Sequence, residues 1–277
     1  MKIISSFDST PIINNRWGMG NKFKETVYFT AYSLLCASSL NKDFVFYTDK
    51  TLYKVLKDLP INIELIPEDY DNRLWISSKM YAISKQTEPF IHIDTDVILY
   101  SNIINEELKN SKVICERIEQ EEFNLHYKKQ VDWFSQNIVS ENVIWNKHLD
   151  YSYNCGTIGF TDMKIKEDFI NNFNLLKNRF LLEEDKFKNL KKEDFEPCIV
   201  LEQYNLTCLL NQNNIKPYLV LKSNILEEQK KEAVQIGYTH LYGQVKYNLN
   251  VQKNIHAKLK EMFPFWYNNI KLNLANF

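Results

Sequence analysis

Residues 90 to 100 read Phe-Ile-His-Ile-Asp-Thr-Asp-Val-Ile-Leu-Tyr, an apolar, β-prone run broken by Asp94-Thr95-Asp96. Phe90, Ile91, Ile93, Val97, Ile98 and Leu99 make the segment nearly continuously hydrophobic, as in a central strand covered on both faces. A carboxylate in such a strand needs a partner, because burying an unpaired charge is costly. On an extended strand residues two apart point the same way, so Asp94 and Asp96 are expected to share one ion. Oxygen ligands of this kind suit hard divalent cations, magnesium or manganese, which also hold the phosphates of a nucleotide. The plainer alternative, a polar strand end with no ligand, fits these flanks poorly.

The chain before this strand alternates between two periodicities. Lys2 to Phe7 reads as a first strand, and residues 24 to 40 carry a helical pattern through Val27, Ala31, Leu34, Leu35 and Ser38. Phe44 to Asp49 reads as a second strand, with a short helix from about Thr51. Ile61 to Ile66 alternates as a third strand, and Leu74 to Gln86 reads as a helix leading into the Asp-x-Asp strand. Repeated strand–helix alternation predicts an α/β fold with a mostly parallel, doubly wound central sheet flanked by helices, whose ligands bind beyond the carboxyl ends of the strands. Asp94 and Asp96 fall at such an end.

The later sequence is less regular. Val113 to Arg117 reads as a short strand, 118 to 150 as polar and irregular with aromatics, and Tyr153 to Phe160 as another strand. Residues 162 to 190 read as a helix, with a Lys/Glu-rich solvated stretch near 183 to 194. Cys198 to Leu210 reads as one amphipathic helix, 217 to 221 as a strand and 251 to 262 as a final helix.

Composition narrows the function classes. With 277 residues and 16 Tyr, 17 Phe and 5 Trp but few Gly and Pro, the chain can bury a large core without low-complexity linkers, and a single domain is expected. A net charge of -1 supplies no basic footprint for nucleic acid. Guanidinium forks are limited to Arg16, Arg73, Arg117 and Arg179. Cys36, Cys115, Cys155, Cys198 and Cys208 are odd in number and lack C-x-x-C spacing, so reduced, buried thiols are expected rather than a disulfide framework or a zinc site. The N-terminal residues lack a signal-peptide pattern and no run is long enough to span a bilayer, so a cytoplasmic protein is the expectation, and the Asn205-Leu206-Thr207 sequon is read as chance. The last residues mix Lys258, Lys260 and Lys271 with Met262, Phe263, Phe265, Trp266 and Tyr267. Peripheral membrane contact near a lipid-linked acceptor is one expectation for that tail, and packing of its aromatics on the domain is the other.

Three later motifs join the carboxylate pair. Asn154-Cys155-Gly156 sets an amide beside a small residue, Glu202-Gln203 sets an acid beside an amide, and His-Leu-Tyr-Gly-Gln-Val-Lys spaces His240, Gly243 and Lys246 three apart. His240 can supply a neutral imidazole as a third ligand, Gly243 lets backbone approach a phosphate, and Lys246 offers it a point charge. His92, His126, His148 and His256 lack ligand-like spacing.

The order Asp-x-Asp, Asn-x-Gly, acid-Gln, His-x-x-Gly-x-x-Lys resembles that of the GT-A glycosyltransferases, above all glycosyltransferase family 8, from the first strand to Lys246. The resemblance implies a single GT-A, Rossmann-like domain: a nucleotide-binding half over residues 1–100, an acceptor and sugar half over 101–250, and a C-terminal helix and tail over 251–277. It implies that Asp94, Asp96 and His240 ligate manganese or magnesium on a UDP-sugar. Gly243 and Lys246 would then contact the pyrophosphate, with Lys79, Asp8 and Thr95 as further donor contacts. Asn154, Glu202 and Gln203 would line the pocket for the transferred hexose and act in catalysis, retaining the anomeric configuration, with a glycan, lipid-linked or protein acceptor. Two positions depart from the family pattern: Tyr247-Asn248 stands where it has Pro-Trp, and Glu202 where it has Asp. A divergent group with a Trp75-x-x-x-Lys79 stretch is the other placement considered.

Rival readings remain. A haloacid-dehalogenase-like phosphatase also carries Asp-x-Asp at a strand end, but normally in its first strand and with Thr or Val where Ile98 stands. A non-catalytic nucleotide-sugar-binding protein and a nucleotidyltransferase share the same expected nucleotide site.

Overall fold

The computed structural model describes residues 1–16, 18–71, 73–183 and 196–277. They form two compact units, one of residues 1–85, 90–103 and 233–277, the other of 86–89 and 104–232.

The first unit is built on parallel strands. β1 (Lys2–Phe7) pairs with β2 (Val45–Thr48) on one side and β4 (Phe90–Ile93) on the other, and β2 pairs with β3 (Asn62–Leu65), all parallel. The helix Phe23–Leu40 is buried along most of its length, with Val27, Ala31 and Leu34 fully enclosed. Asp49 follows β2 and caps the helix Lys50–Leu56, accepting from Thr51 N at 2.7 Å and Leu52 N at 3.1 Å. Such a cap contributes about 1 kcal/mol. The same carboxylate takes Ser9 N at 2.6 Å and Ser9 Oγ at 3.0 Å, so it ties the exit of β1 to the exit of β2. The helix before β4 is shorter than the expected Leu74 to Gln86: it spans Ser77–Ser84, and Leu74 O closes a preceding turn by accepting from Ser77 N.

The expected single strand through Asp-x-Asp is two strands. β4 ends at Ile93, Asp94–Asp96 turn with Val97 N donating to Asp94 O at 2.9 Å, and β5 (Val97–Leu99) leaves in a separate pairing. The correction has a physical reason. An apolar run with two central carboxylates carries no mark of direction, and the charges are accommodated where the ladder breaks. β5 pairs antiparallel with β9 (Tyr238–His240), a strand the sequence did not announce, in the register Val97↔His240 and Leu99↔Tyr238. Gly237 opens β9 at φ +64°, and an added Cβ there would lie 2.8 Å from Ser101 Oγ, so the close approach of the two segments requires glycine. The expected final helix is present as Leu249–Met262, but a second, Pro264–Ala275, follows. Pro264 is the first residue of that helix, where its missing N–H costs nothing. The tail turns partly inward: Ile270 is buried and the Phe277 ring stacks on Phe23 at 4.9 Å.

In the second unit β6 (Val113–Glu119) pairs antiparallel with β7 (Ser152–Phe160) and parallel with β8 (Tyr218–Leu219), with an irregularity between Cys115 and Arg117. The stretch 118–150, expected to be irregular, contains the helices Phe123–His126 and Lys128–Asn137. Only Gln130, Val131 and Phe134 of the longer helix are buried, a narrow face in an otherwise polar segment. Phe134 stacks on Phe180 at 5.7 Å and on Trp145 at 6.0 Å, which anchors it. Asp162 caps the helix Met163–Leu182, which ends before the expected 190. The Lys/Glu-rich stretch falls largely on 184–195, outside the described residues. The expected helix Cys198 to Leu210 is Pro197–Ile199, a π-helical turn Val200–Tyr204, then Asn205–Gln212. A helix from Leu226 to Gln235 was not foreseen.

The α/β class with a mostly parallel sheet and flanking helices is therefore the observed one. All five cysteines are buried and free, as expected. Asn205 of the sequon is fully buried and donates to Phe169 O. Among the described residues no helix is long and apolar enough to cross a membrane.

Candidate metal and diphosphate site

The turn between β4 and β5 and the end of β9 bring three potential ligands together in the first unit. One ligand atom from each of Asp94, Asp96 and His240 lies within 4.8 Å of the others. The β5–β9 register does this, since His240 sits opposite Val97 and Leu241 N donates to Asp96 O at 3.0 Å. The carboxylates therefore converge through a turn and a second sheet, not through strand alternation as expected.

Two ammonium groups complete the cluster. Lys79 Nζ donates to Asp94 Oδ1 at 2.7 Å, and Lys246 Nζ to Asp96 Oδ2 at 2.6 Å, with His240 Nε2 at 3.5 Å from Asp96 Oδ1. Burial works against ionisation of Asp96, but the Lys246 and His240 charges outweigh it and hold the carboxyl below the usual range. Asp94 is displaced the other way: burial raises it, the Lys79 ammonium only partly opposes this, and the Asp96 charge adds to the rise. Burial disfavours the Lys246 ammonium, and Asp96 reverses that, keeping it protonated. Behind Asp94, His92 is fully buried, bonds Ser6 Oγ at 2.9 Å, and is pushed well below its ordinary value by burial and then by Lys79, so it serves as a neutral support.

The donor set fits a divalent cation: two carboxylates and one imidazole suit manganese, and magnesium less closely because of the nitrogen. The two lysines balance the two carboxylates in charge, so a cation entering here competes with ammonium groups that need acceptors of their own. Lys246 is held for such a role by aromatic neighbours. Its Nζ lies 5.7 Å from the Phe29 ring centre and 6.0 Å from that of Tyr247, and the Tyr247 hydroxyl lies 3.1 Å from Thr26 Oγ1. Tyr247, one of the departures from the family pattern, thus braces the lysine. Gly243 begins the 3-10 turn Gly243–Tyr247 at φ +63° with nothing within 4 Å of an added Cβ, so its backbone conformation alone explains glycine and leaves room for a ligand. Asp8, at the end of β1, accepts from Thr10 N at 2.8 Å and is buried, as is Thr95.

The other site residues of the sequence reading lie in the second unit and share one polar network. Asn154 Nδ2 donates to Glu119 Oε1 at 2.8 Å while its Oδ1 accepts from Gly156 N at 2.8 Å. Glu119 also takes Arg117 Nη2 at 2.6 Å and the Tyr127 hydroxyl, whose oxygen lies 2.9 Å from the Gln203 carboxamide. Arg117 Nη1 further donates to Glu122 at 2.9 Å and to Gln229 Oε1 at 3.2 Å. Glu202 and Gln203, neighbours in sequence, differ in environment: Glu202 is 2% exposed, whereas Gln203 is half-buried. Sequence reasoning missed Arg117, Glu119 and Tyr127. The signal was there, since Glu116, Arg117 and Glu119 interrupt an apolar strand much as Asp94 and Asp96 do.

The fold and this cluster define an α/β protein with a candidate cation and diphosphate site beyond a parallel sheet. Its family is shown by sequence: the chain belongs to the family of unknown function DUF6734, whose model matches residues 1–272. No curated protein matches it in sequence. Among solved structures it is similar to the galactosyltransferase LgtC in complex with donor and acceptor sugar analogues, at 10% identity over 92% of this chain and 95% of that one, TM-score 0.44. It is similar too to the glycosyltransferase GlyE of Streptococcus pneumoniae, at 10% identity over 99% of this chain and 63% of that one, TM-score 0.44. A third similar structure is the inositol-1-phosphate CTP transferase of T. maritima, at 14% identity over 94% and 97%, TM-score 0.45. Glycosyltransferases recur among the structures this chain resembles.

Proposed function

We propose that this protein is a metal-dependent glycosyltransferase that moves a hexose-type sugar from a nucleotide sugar to an acceptor, with UDP as the nucleotide and with retention. The observation that carries the reading is the convergence of Asp94, Asp96 and His240 with two lysines in one cluster. Manganese held by those ligands would neutralise charge developing on the leaving diphosphate. Lys246 and Lys79, released from the carboxylates, would turn to the phosphate oxygens, and Lys246 adds fixed positive charge where the leaving group gains negative charge. Asp8 would bind the base and Gly243 would admit the pyrophosphate to the backbone. UDP and retention follow from the motif resemblance alone. Asn154, Glu202 and Gln203 would contact the transferred sugar on the same ground.

The test is nucleotide release from a panel of UDP- and GDP-sugars, with manganese and with EDTA, followed by NMR of the product linkage. The reading expects manganese-dependent release and a retained anomer. Phosphate release from a phosphomonoester alone, pyrophosphate release from a nucleoside triphosphate, or nucleotide-sugar binding without turnover would each replace it with the corresponding rival.

A further inference from the structure

The π-helical turn Val200–Tyr204 interrupts an otherwise α-helical stretch and carries Gln203 on a half-buried site. A π turn is rare and falls frequently at functional sites. What aims Gln203 is one phenol. The Tyr127 oxygen lies 2.9 Å from Gln203 and also bonds Glu119 Oε2. A phenol has a single proton to give. Glu119 is paired with Arg117 at 2.6 Å and accepts from Asn154 at 2.8 Å, so it is an acceptor on all sides. Sending the Tyr127 proton elsewhere would leave two oxygens in contact with no hydrogen between them. The proton therefore belongs to the Glu119 bond, and Tyr127 meets Gln203 as an acceptor. Burial, then the Glu119 charge, pushes the phenol well above its ordinary pKa, which keeps that proton in place. Carboxamide oxygen and nitrogen are distinguished by their partners, and this partner requires the Gln203 NH2.

We infer that Tyr127 and Glu119 are positioning residues that fix the Gln203 carboxamide with its NH2 on the phenol and its carbonyl oxygen presented outward, toward a hydroxyl or an electron-poor carbon of the substrate sugar. The choice of substrate rests on the glycosyltransferase reading, whereas the orientation rests on the network alone. Glu119 further fixes Asn154, so one carboxylate aligns two of the residues expected at the sugar.

Side-chain amide NMR of protein labelled at glutamine tests the orientation without any activity, the Gln203 signals being assigned from their loss in Gln203→Glu. We expect an NOE from the Gln203 NH2 protons to the Tyr127 ring protons ortho to the hydroxyl, and a shift of one NH2 proton in Tyr127→Phe. The double variant Arg117→Met/Glu119→Met removes that ion pair together, leaving only the half-buried Glu122 without its guanidinium, which is better tolerated than leaving Glu119 buried and unpaired. There the phenol proton is free to turn to Gln203, the amide reverses, and the NOE is lost. Release of UDP from UDP-glucose and UDP-galactose supplies the second arm: Tyr127→Phe should lower kcat by about ten- to a hundredfold, with KM and manganese affinity nearly unchanged. Absence of the NOE in the unmodified protein, or an unaltered kcat in Tyr127→Phe, overturns the assignment. If the unmodified protein releases no UDP while the NOE is present, the glycosyltransferase reading fails and the orientation stands.

Discussion

In the first unit Asp94 and Asp96 each take one lysine, whereas the second surrounds Glu119 with a guanidinium, a phenol and an amide together. A single ammonium on a flexible stem is a replaceable counter-ion. A planar guanidinium with several donors is not, because its bonds form and break as a set. The difference teaches that buried charge has two uses here on the proposed reading, one cluster exchanging partners with a ligand and the other holding its partners still.

The largest test of the contrast is at the exchangeable cluster. Asp96→Ala should reduce nucleotide-sugar turnover by about 10²-fold or more and abolish its manganese dependence, read by nucleotide release. Near-normal transfer in that variant would sink the metal site. At the fixed network, Arg117→Ala should destabilise the fold by roughly 3–5 kcal/mol, read by urea denaturation, because it leaves Glu119 without its guanidinium. The corresponding Lys246→Met also strips a cation from a buried carboxylate, Asp96, and should in addition move two affinities in opposite directions. With the competing ammonium gone, manganese alone should bind about tenfold more tightly, on the scale of a screened ion pair, while UDP with manganese binds more weakly. Calorimetry separates the two, and an unchanged manganese affinity would remove the competition from the picture.

The smallest expected effect concerns thiols in both units. Burial pushes Cys36 up to about 11 and Cys208 up to about 12, with Tyr32 and Lys258 pulling back only slightly on the former. A raised thiol pKa leaves the unreactive protonated form dominant until pH approaches that value. Iodoacetamide at pH 8 should therefore label neither cysteine in the folded protein and both in urea. Mass spectrometry of the two samples decides it.

Much of the fold was legible because it is written locally. β1 falls at the expected residues, and the helix Phe23–Leu40 and strand Ser152–Phe160 within a residue of them, each being a long run of mostly buried residues. Lys128–Asn137 was not read as a helix, because its buried face is narrow and set in a mostly polar segment. Nor was the second C-terminal helix, where Pro264 reads equally as a stop and a start.

The sequence by itself marked Asp94 and Asp96 as candidate cation ligands, because charge inside an apolar run needs a partner, and the motif order set His240 and Lys246 beside them. Only the tertiary structure decided how they meet. The break after Ile93, the β5–β9 register and the glycine at 237 bring His240 to Asp96 across more than half the chain. Likewise it set Arg117, Glu119 and Tyr127 around Gln203. Pairing between distant segments depends on which backbone groups find partners in three dimensions, and residue order carries no local trace of that choice.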